Sequence, residues 1–264
     1  MASVFDEVVA DLVAEHRDLE RVLERLDEDA FERDTHAVGW KVRDQIAHLA
    51  QFDDAAARAI LDPEGFKSHF RNPENSEPAY LERARGMSAD ELFERWRTNS
   101  KALVEAAQSL DPSARIPWAG PPMSGVSHVT ARLMETWSHG LDIVDVVDAQ
   151  RPDTDRLRHV AFLGVRTRPF SYSNRGLEPS RIPIRVTLTA PSEATWELGD
   201  ESDENIVRGS ATDFCRVVAQ RRHISDTALE VVGPAAEEWM GIAQIFAGPP
   251  GPGRNPGEFA SERE

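Results

Sequence analysis

A single cysteine, Cys215, is all the thiol that this chain of 264 residues contains. No intrachain disulfide is possible, and a zinc site built from cysteines is excluded. Basic residues are also short: 30 Lys and Arg stand against 46 Asp and Glu, a formal charge of −16. Non-specific affinity for phosphodiesters comes mainly from Lys and Arg neutralising phosphates, so nucleic acid and anionic membranes are poor partners for such a chain. Acidity of this size keeps a protein soluble and says nothing about its fold. No run of roughly 18 apolar residues occurs, so no transmembrane helix is expected. No basic segment leads into an apolar stretch near the start, so no signal peptide is expected and the chain reads as cytoplasmic.

What is present suffices for a core: 40% of the residues are apolar and 29% charged, as in ordinary soluble proteins. The first half reads as helices. Residues 4–28 place Val8, Val9, Leu12, Val13, His16, Leu19, Val22, Leu23 and Leu26 at three-and-four spacing, which predicts an amphipathic helix. A second helix is expected over 41–61, with Val42, Ile46, Leu49, Phe52 and Ala56 on its inner face. A polar connection over 71–78 follows. Ser88 and Glu91 form a capping-box signature that opens a third helix to about residue 110, and Pro117–Pro122 reads as a rigid loop. The fourth helix is expected over 124–148. Four such helices predict an up-down bundle, in which metal ligands commonly project from facing helices.

A further helix is plausible over 153–169, and 172–179 reads as a linker. Period-two alternation then predicts strands at 184–189 and 195–198, with further short strands at 206–210 and 229–232. Helices are expected at 211–220 and 235–246. Strands and helices mixed in this way indicate a small α+β unit. Three segments result: a helical bundle over 1–170, an α+β accessory domain over 180–247, and a Gly/Pro-rich tail over 248–264 expected to be disordered.

The most informative stretch is Met134-Glu-Thr-Trp-Ser-His-Gly140. Glu135 and His139 are four apart, so their side chains leave one helix face about one turn from each other. Alone the pair is weak evidence, because i,i+4 contacts are common on charged helices. His48, on the second helix, supplies a third candidate ligand. One Glu and two His with a coordination position open is the ligand set of a working zinc site. Asp142 and Asp145 are candidate acceptors for the imidazole of His139. Taken alone, His48 also reads as a core histidine bonded to Asp44, and a separate rival reading without metal makes His48, Glu135 and His139 polar residues of the bundle core bonded to one another. His128 is expected at the rim, His16 in the core, and Asp53 and Asp54 in solvent. Cys215 reads as a small apolar residue of a half-buried helix. Arg221 and Arg222 close that helix, where they can face its C-terminal dipole or reach a carboxylate.

From Trp40-Lys-Val-Arg-Asp-Gln-Ile-Ala-His48-Leu and Glu135-Thr-Trp-Ser-His139-Gly-Leu-Asp142, the chain resembles the mycothiol-dependent maleylpyruvate isomerase family, within the wider DinB/YfiT-like metal-binding bundles. It is similar in particular to a subgroup known mainly as metal-binding proteins. The resemblance implies an α+β protein: a DinB-like up-down four-helix bundle followed by a small α/β domain of sterol-carrier-like fold. It implies a divalent metal, usually zinc, held by His48, Glu135 and His139, with mycothiol as a low-molecular-weight thiol. It also implies an arginine that helps hold an acidic substrate, for which Arg221 is the nearest match. The expected activity is then that of a metal- and thiol-dependent isomerase or transferase acting on a small acidic or electrophilic molecule. The alternative is a non-catalytic, metal-containing protein whose second domain holds an apolar ligand.

Overall fold

In a computed structural model, which describes residues 3–118 and 120–259 apart from the side chain of Phe70, polar caps set where the helices begin. Ser3 and Asp6 exchange hydrogen bonds to open α1 (Val4–Leu23). Asp27 caps the short α2 (Glu28–Phe31). The Asp44 carboxylate accepts from the Lys41 N–H at 2.9 Å as α3 (Val42–Leu61) starts. In α4 (Pro63–Arg71) and α5 (Glu77–Ala84) a proline lies in the first turn, where its missing N–H costs nothing. The expected Ser88–Glu91 capping box opens α6 (Ala89–Gln108), and Ser124 caps α7 (Gly125–Val144). Helices α1, α3, α6 and α7 are each 20 residues long and form the bundle, with α3 packed between α6 and α7, and α1 against the same two.

Their directions follow from which ends share a core. One apolar cluster joins the C-terminal ends of α1 and α7 (Leu19, Leu23, Ile143) to the N-terminal ends of α3 and α6 (Val42, Ile46, Leu92, Trp96). The four helices therefore run up, down, down, up. Two neighbours, α3 and α6, are parallel, and the chain returns between them through the crossover of α4 and α5. The polar connection expected over 71–78 is thus partly helical. At the opposite end Ala55, Ala59, Phe66 and Ile116 pack together, beside a two-stranded ladder of β1 (Arg115–Ile116) and β2 (Met123–Ser124) that closes the proline-rich loop.

Two polar residues expected near the surface are core residues. Asp53, expected in solvent, is wholly buried, and Arg132 donates to its Oδ1 from Nε at 3.0 Å. His128, expected at the rim, is also buried, and its Nε2 lies 3.2 Å from the Ala56 carbonyl oxygen. The sequence shows neither partner, because both contacts join helices more than 70 residues apart. Burial pushes the His128 imidazole down to about 4. The unfolded chain takes up this proton near the ordinary value of 6.5, so the stabilisation is complete above that pH and lost as pH falls toward about 4. The shift corresponds to about 3 kcal/mol. Urea midpoints across that window are expected to fall with pH, and His128→Gln should flatten the slope. An unchanged slope in the variant removes His128 as the cause.

Contacts divide the chain into two units, Met1–Arg151 and Pro152–Glu264. Residues 152–170, read above with the bundle, thereby fall in the second unit, where α8 (Leu157–Arg166) packs on α10 (Ala211–Val218). Helix α9 (Arg168–Ser173) follows α8 directly. The sheet has the order β4-β3-β5-β6, formed by β3 (Arg185–Thr189), β4 (Thr195–Gly199), β5 (Ile206–Ser210) and β6 (Glu230–Val232). Strands β3 and β5 are parallel and both outer pairs antiparallel. Val186, Leu188 and Val207 point inward, toward the core that Phe214 and Val218 of α10 also join. Helix α11 (Pro234–Ile242) completes the α+β architecture. Cys215 is fully buried, its Sγ 3.6 Å from the Leu157 carbonyl oxygen, and burial pushes its thiol pKa well up.

The tail departs from expectation. Residues 248–259 pack back on the second unit: Asp226 accepts from the backbone N–H groups of Gly257 and Phe259 at 2.8 and 3.2 Å, and the Arg222 guanidinium lies 3.6 Å from the Phe259 ring centroid. Gly/Pro content lowers helix and strand propensity, but it does not prevent a buried carboxylate from fixing the backbone. Residues 260–264 lie outside the described residues.

Candidate metal centre

Helices α3 and α7 are antiparallel, which sets residue 48 opposite residues 135–139. Glu135 and His139, one turn apart on α7, face His48 on α3. The Glu135 Oε2 atom is 3.1 Å from His139 Nε2 and 3.5 Å from His48 Nε2. One ligand atom from each residue lies within 4.8 Å of the others. Donor atoms about 2.0–2.1 Å from a tetrahedral ion are about 3.3 Å apart. The two Glu135 separations bracket that figure, so the donor set fits a divalent cation of zinc size.

The outer nitrogens are engaged as well. His139 Nδ1 lies 2.5 Å from Gln45 Oε1, and His48 Nδ1 lies 2.5 Å from Glu77 Oε1. An acceptor at Nδ1 keeps the proton there and leaves the Nε2 lone pair free, as a metal-bound imidazole requires. Gln45 is itself held, donating from Nε2 to Thr35 Oγ1 at 2.9 Å. Asp142, the expected acceptor, stands 3.8 Å from His139 Nδ1, outside hydrogen-bond range. Nor does Asp44 hold His48, because its carboxylate accepts from Arg85 at 3.0 Å.

Aromatic rings brace the imidazoles. Gly39, at φ 79°, permits the turn in which the Trp40 N–H donates to the Ala37 carbonyl. Trp40 then stacks on His139, with centroids 5.9 Å apart and planes 16° apart, and Phe52 lies 4.5 Å from the His48 ring. Gly140 has a packing role: the guanidinium of Arg151 occupies the space a Cβ would need, donating to the Trp137 carbonyl at 3.0 Å and pairing with buried Glu15.

The charges of the cluster are coupled. Burial pushes the His48 imidazole down, but Glu135 and Glu77 more than offset this and raise it above its ordinary value. Burial pushes the Glu135 carboxyl up, and the hydrogen bonds from His139 and His48 override it, holding it well below the usual range. Protons shared among these groups occupy the region a cation would neutralise.

The structure thus brings together His48, Glu135 and His139. Arg221 belongs to the second unit, after α10, where it donates to the Ala219 carbonyl at 2.8 Å and lies over the Phe246 ring. Sequence reasoning missed Gln45, Glu77 and Trp40 as neighbours of the imidazoles, whereas Phe52 was expected on the inner face of the same helix as His48. Gln45 precedes His48 by three residues and was open to notice, as was the helix-start pattern Ser76-Glu77-Pro78.

A bundle with an imidazole–carboxylate–imidazole cluster between two of its helices, followed by an α+β unit, defines a class of helical-bundle proteins with a candidate metal centre. The chain belongs to the mycothiol maleylpyruvate isomerase family, since residues 12–144 match the model described as the mycothiol maleylpyruvate isomerase N-terminal domain. It is 41% identical over 250 residues to two uncharacterised proteins from two strains of Mycobacterium tuberculosis, covering 93% of this chain and 97% of theirs. In fold it is similar to crystal structures of the mycothiol-dependent maleylpyruvate isomerase and of a histidine variant of that enzyme. For both, the TM-score is 0.58 and the identity 18%, covering 84% of this chain and 93% of theirs.

Proposed function

We propose that this protein is a metal- and mycothiol-dependent isomerase or thiol transferase acting on a small acidic or electrophilic substrate. His48, Glu135 and His139 hold a divalent cation, zinc by the chemistry of the donors. The convergence of three ligand atoms within 4.8 Å is the observation that supports this reading most. When bound, the cation supplies Lewis acidity and keeps a coordinated thiol in its thiolate form.

The residues divide the remaining work. Gln45 and Glu77 hold the imidazole protons at Nδ1, so both Nε2 atoms act as donors. Trp40 and Phe52 pack the imidazole rings and limit water around them. The thiol comes from outside the chain, because Cys215 is buried with a raised pKa and is neither ionised nor accessible. Arg221 is assigned to the acidic group of the substrate, as a planar cation suited to a carboxylate. Thiolate addition to a conjugated double bond, rotation and elimination accomplish isomerisation. Transfer results when the adduct is released instead.

Adding mycothiol to the cobalt-substituted protein is expected to produce a thiolate-to-cobalt charge-transfer band. In the same preparation, Arg221→Ala should raise KM for an acidic electrophile more than it lowers kcat. Absence of the band removes the thiol from the proposal, and an unchanged KM removes Arg221. Ligands must shed protons to bind metal. With the His48 pKa raised, zinc affinity is therefore expected to fall as pH drops.

A further inference from the structure

His48 is held by a residue from outside the four bundle helices, and the outer acceptors of the two imidazoles differ in kind. The acceptor for His139 is Gln45 of α3, neutral, fully buried and fixed by Thr35. The acceptor for His48 is Glu77, a carboxylate at the first position of α5, in the crossover between the two parallel helices. Its side chain is 36% exposed.

We propose that Glu77 is a positioning residue of the metal centre, acting on the cation through His48; the assignment rests on the metal reading above. Its carboxylate fixes the His48 ring, keeps the proton on Nδ1 and makes Nε2 a stronger donor than a neutral acceptor would. It also adds a second negative charge near a cation that already has Glu135, which offsets the full charge of a divalent ion with two neutral imidazoles. At 2.5 Å from Nδ1, Glu77 Oε1 is committed to His48. Engaged behind His48, the Glu77 carboxylate would not itself compete for a bound cation, which would leave room there for a thiol or substrate. The crossover thus has a chemical purpose besides its topological one: it delivers a carboxylate to the back of His48.

The test uses the full chain without a histidine tag, with zinc affinity measured by competition against a chromophoric chelator and cobalt(II) absorption as the ligand-field readout. Glu77→Gln, which keeps an acceptor but removes the charge, is expected to weaken zinc binding about tenfold, and Glu77→Ala up to about a hundredfold. The cobalt spectrum should shift in Glu77→Ala, a change that loss of surface packing alone would not produce. Glu82→Ala, on the outer side of the same helix, serves as the control and should match the wild type. If the wild type binds zinc, His48→Ala does not, and both Glu77 variants stay within about twofold with unaltered cobalt spectra, the assignment is overturned while the metal reading stands. A wild type that binds no zinc overturns both.

Discussion

Protein carrying His139→Ala is expected to be purified without its metal, falling from about one ion per chain to less than about a tenth. In the proposed centre His139 is one of three protein donors, so its loss should exceed the roughly 10–100-fold effect of removing an outer partner. The substitution also strands its neighbours: Gln45 Oε1 loses its donor, and Glu135 Oε2 loses the nearer of its two imidazoles. Elemental analysis of the tag-free protein measures the effect directly. A second readout is thermal. A ligand that binds only the folded state at a hundredfold excess over its Kd stabilises it by about 2.7 kcal/mol. The wild type should therefore melt higher when zinc is added, and the variant should not. If the variant retains both the ion and the zinc-dependent shift, the cluster is not the metal centre.

The second large effect is expected at Asp53, in the core next to this cluster. Its carboxylate is fully buried, and Arg132 approaches Oδ1 from both Nε and Nη2 at 3.0 Å. His16 Nε2 lies 3.8 Å from Oδ2, and the guanidinium of Arg132 lies 6.0 Å from the Phe52 ring centroid. Asp53→Ala leaves a buried guanidinium without its counter-charge, at a cost of about 3–5 kcal/mol. Against a typical total stability of about 5–15 kcal/mol, that is a large share. Asp53→Ala combined with Arg132→Met should recover much of the loss, because replacing a buried pair by apolar residues is often neutral. Chemical denaturation of the single and double variants decides the matter. A single-variant loss below about 1 kcal/mol would contradict the account. Because Phe52 touches both Arg132 and His48, a loosened Asp53 variant is also expected to bind zinc less tightly.

Much of this architecture is legible in the residues, for identifiable reasons. The four long helices have apolar faces at helical spacing, and Ser3, Ser88 and Ser124 mark the starts of three of them. Strands β3 and β4 show period-two alternation. The convergence of His48, Glu135 and His139 is readable because two of them share one helix face and the third lies in a recognisable segment. What could not be read depends on contacts between distant segments. The parallel placement of α3 and α6 comes from the crossover, whose helices are short, polar and punctuated by proline. Glu77 reaches His48 only because of that crossover. Asp53 looks like any charged helix residue until Arg132, on another helix, is placed against it. The 248–259 segment has the composition of a disordered tail, and Asp226 alone supplies two of the hydrogen bonds that hold it.

The crossover also sets an order of assembly during synthesis. His48 and Glu77 emerge early, whereas Glu135 and His139 follow about 90 residues after His48, which at about 5–20 residues per second is a delay of roughly 5 to 20 seconds. Until α7 is made, the cluster consists of His48 backed by Glu77, one imidazole and one carboxylate of the full set. Under the metal reading, capture would therefore wait for the bundle to close. By then the spacing of the candidate donors is set by helix packing, so under the metal reading an ion would be chosen by fit to a rigid frame, whereas a flexible chain would select by affinity order alone.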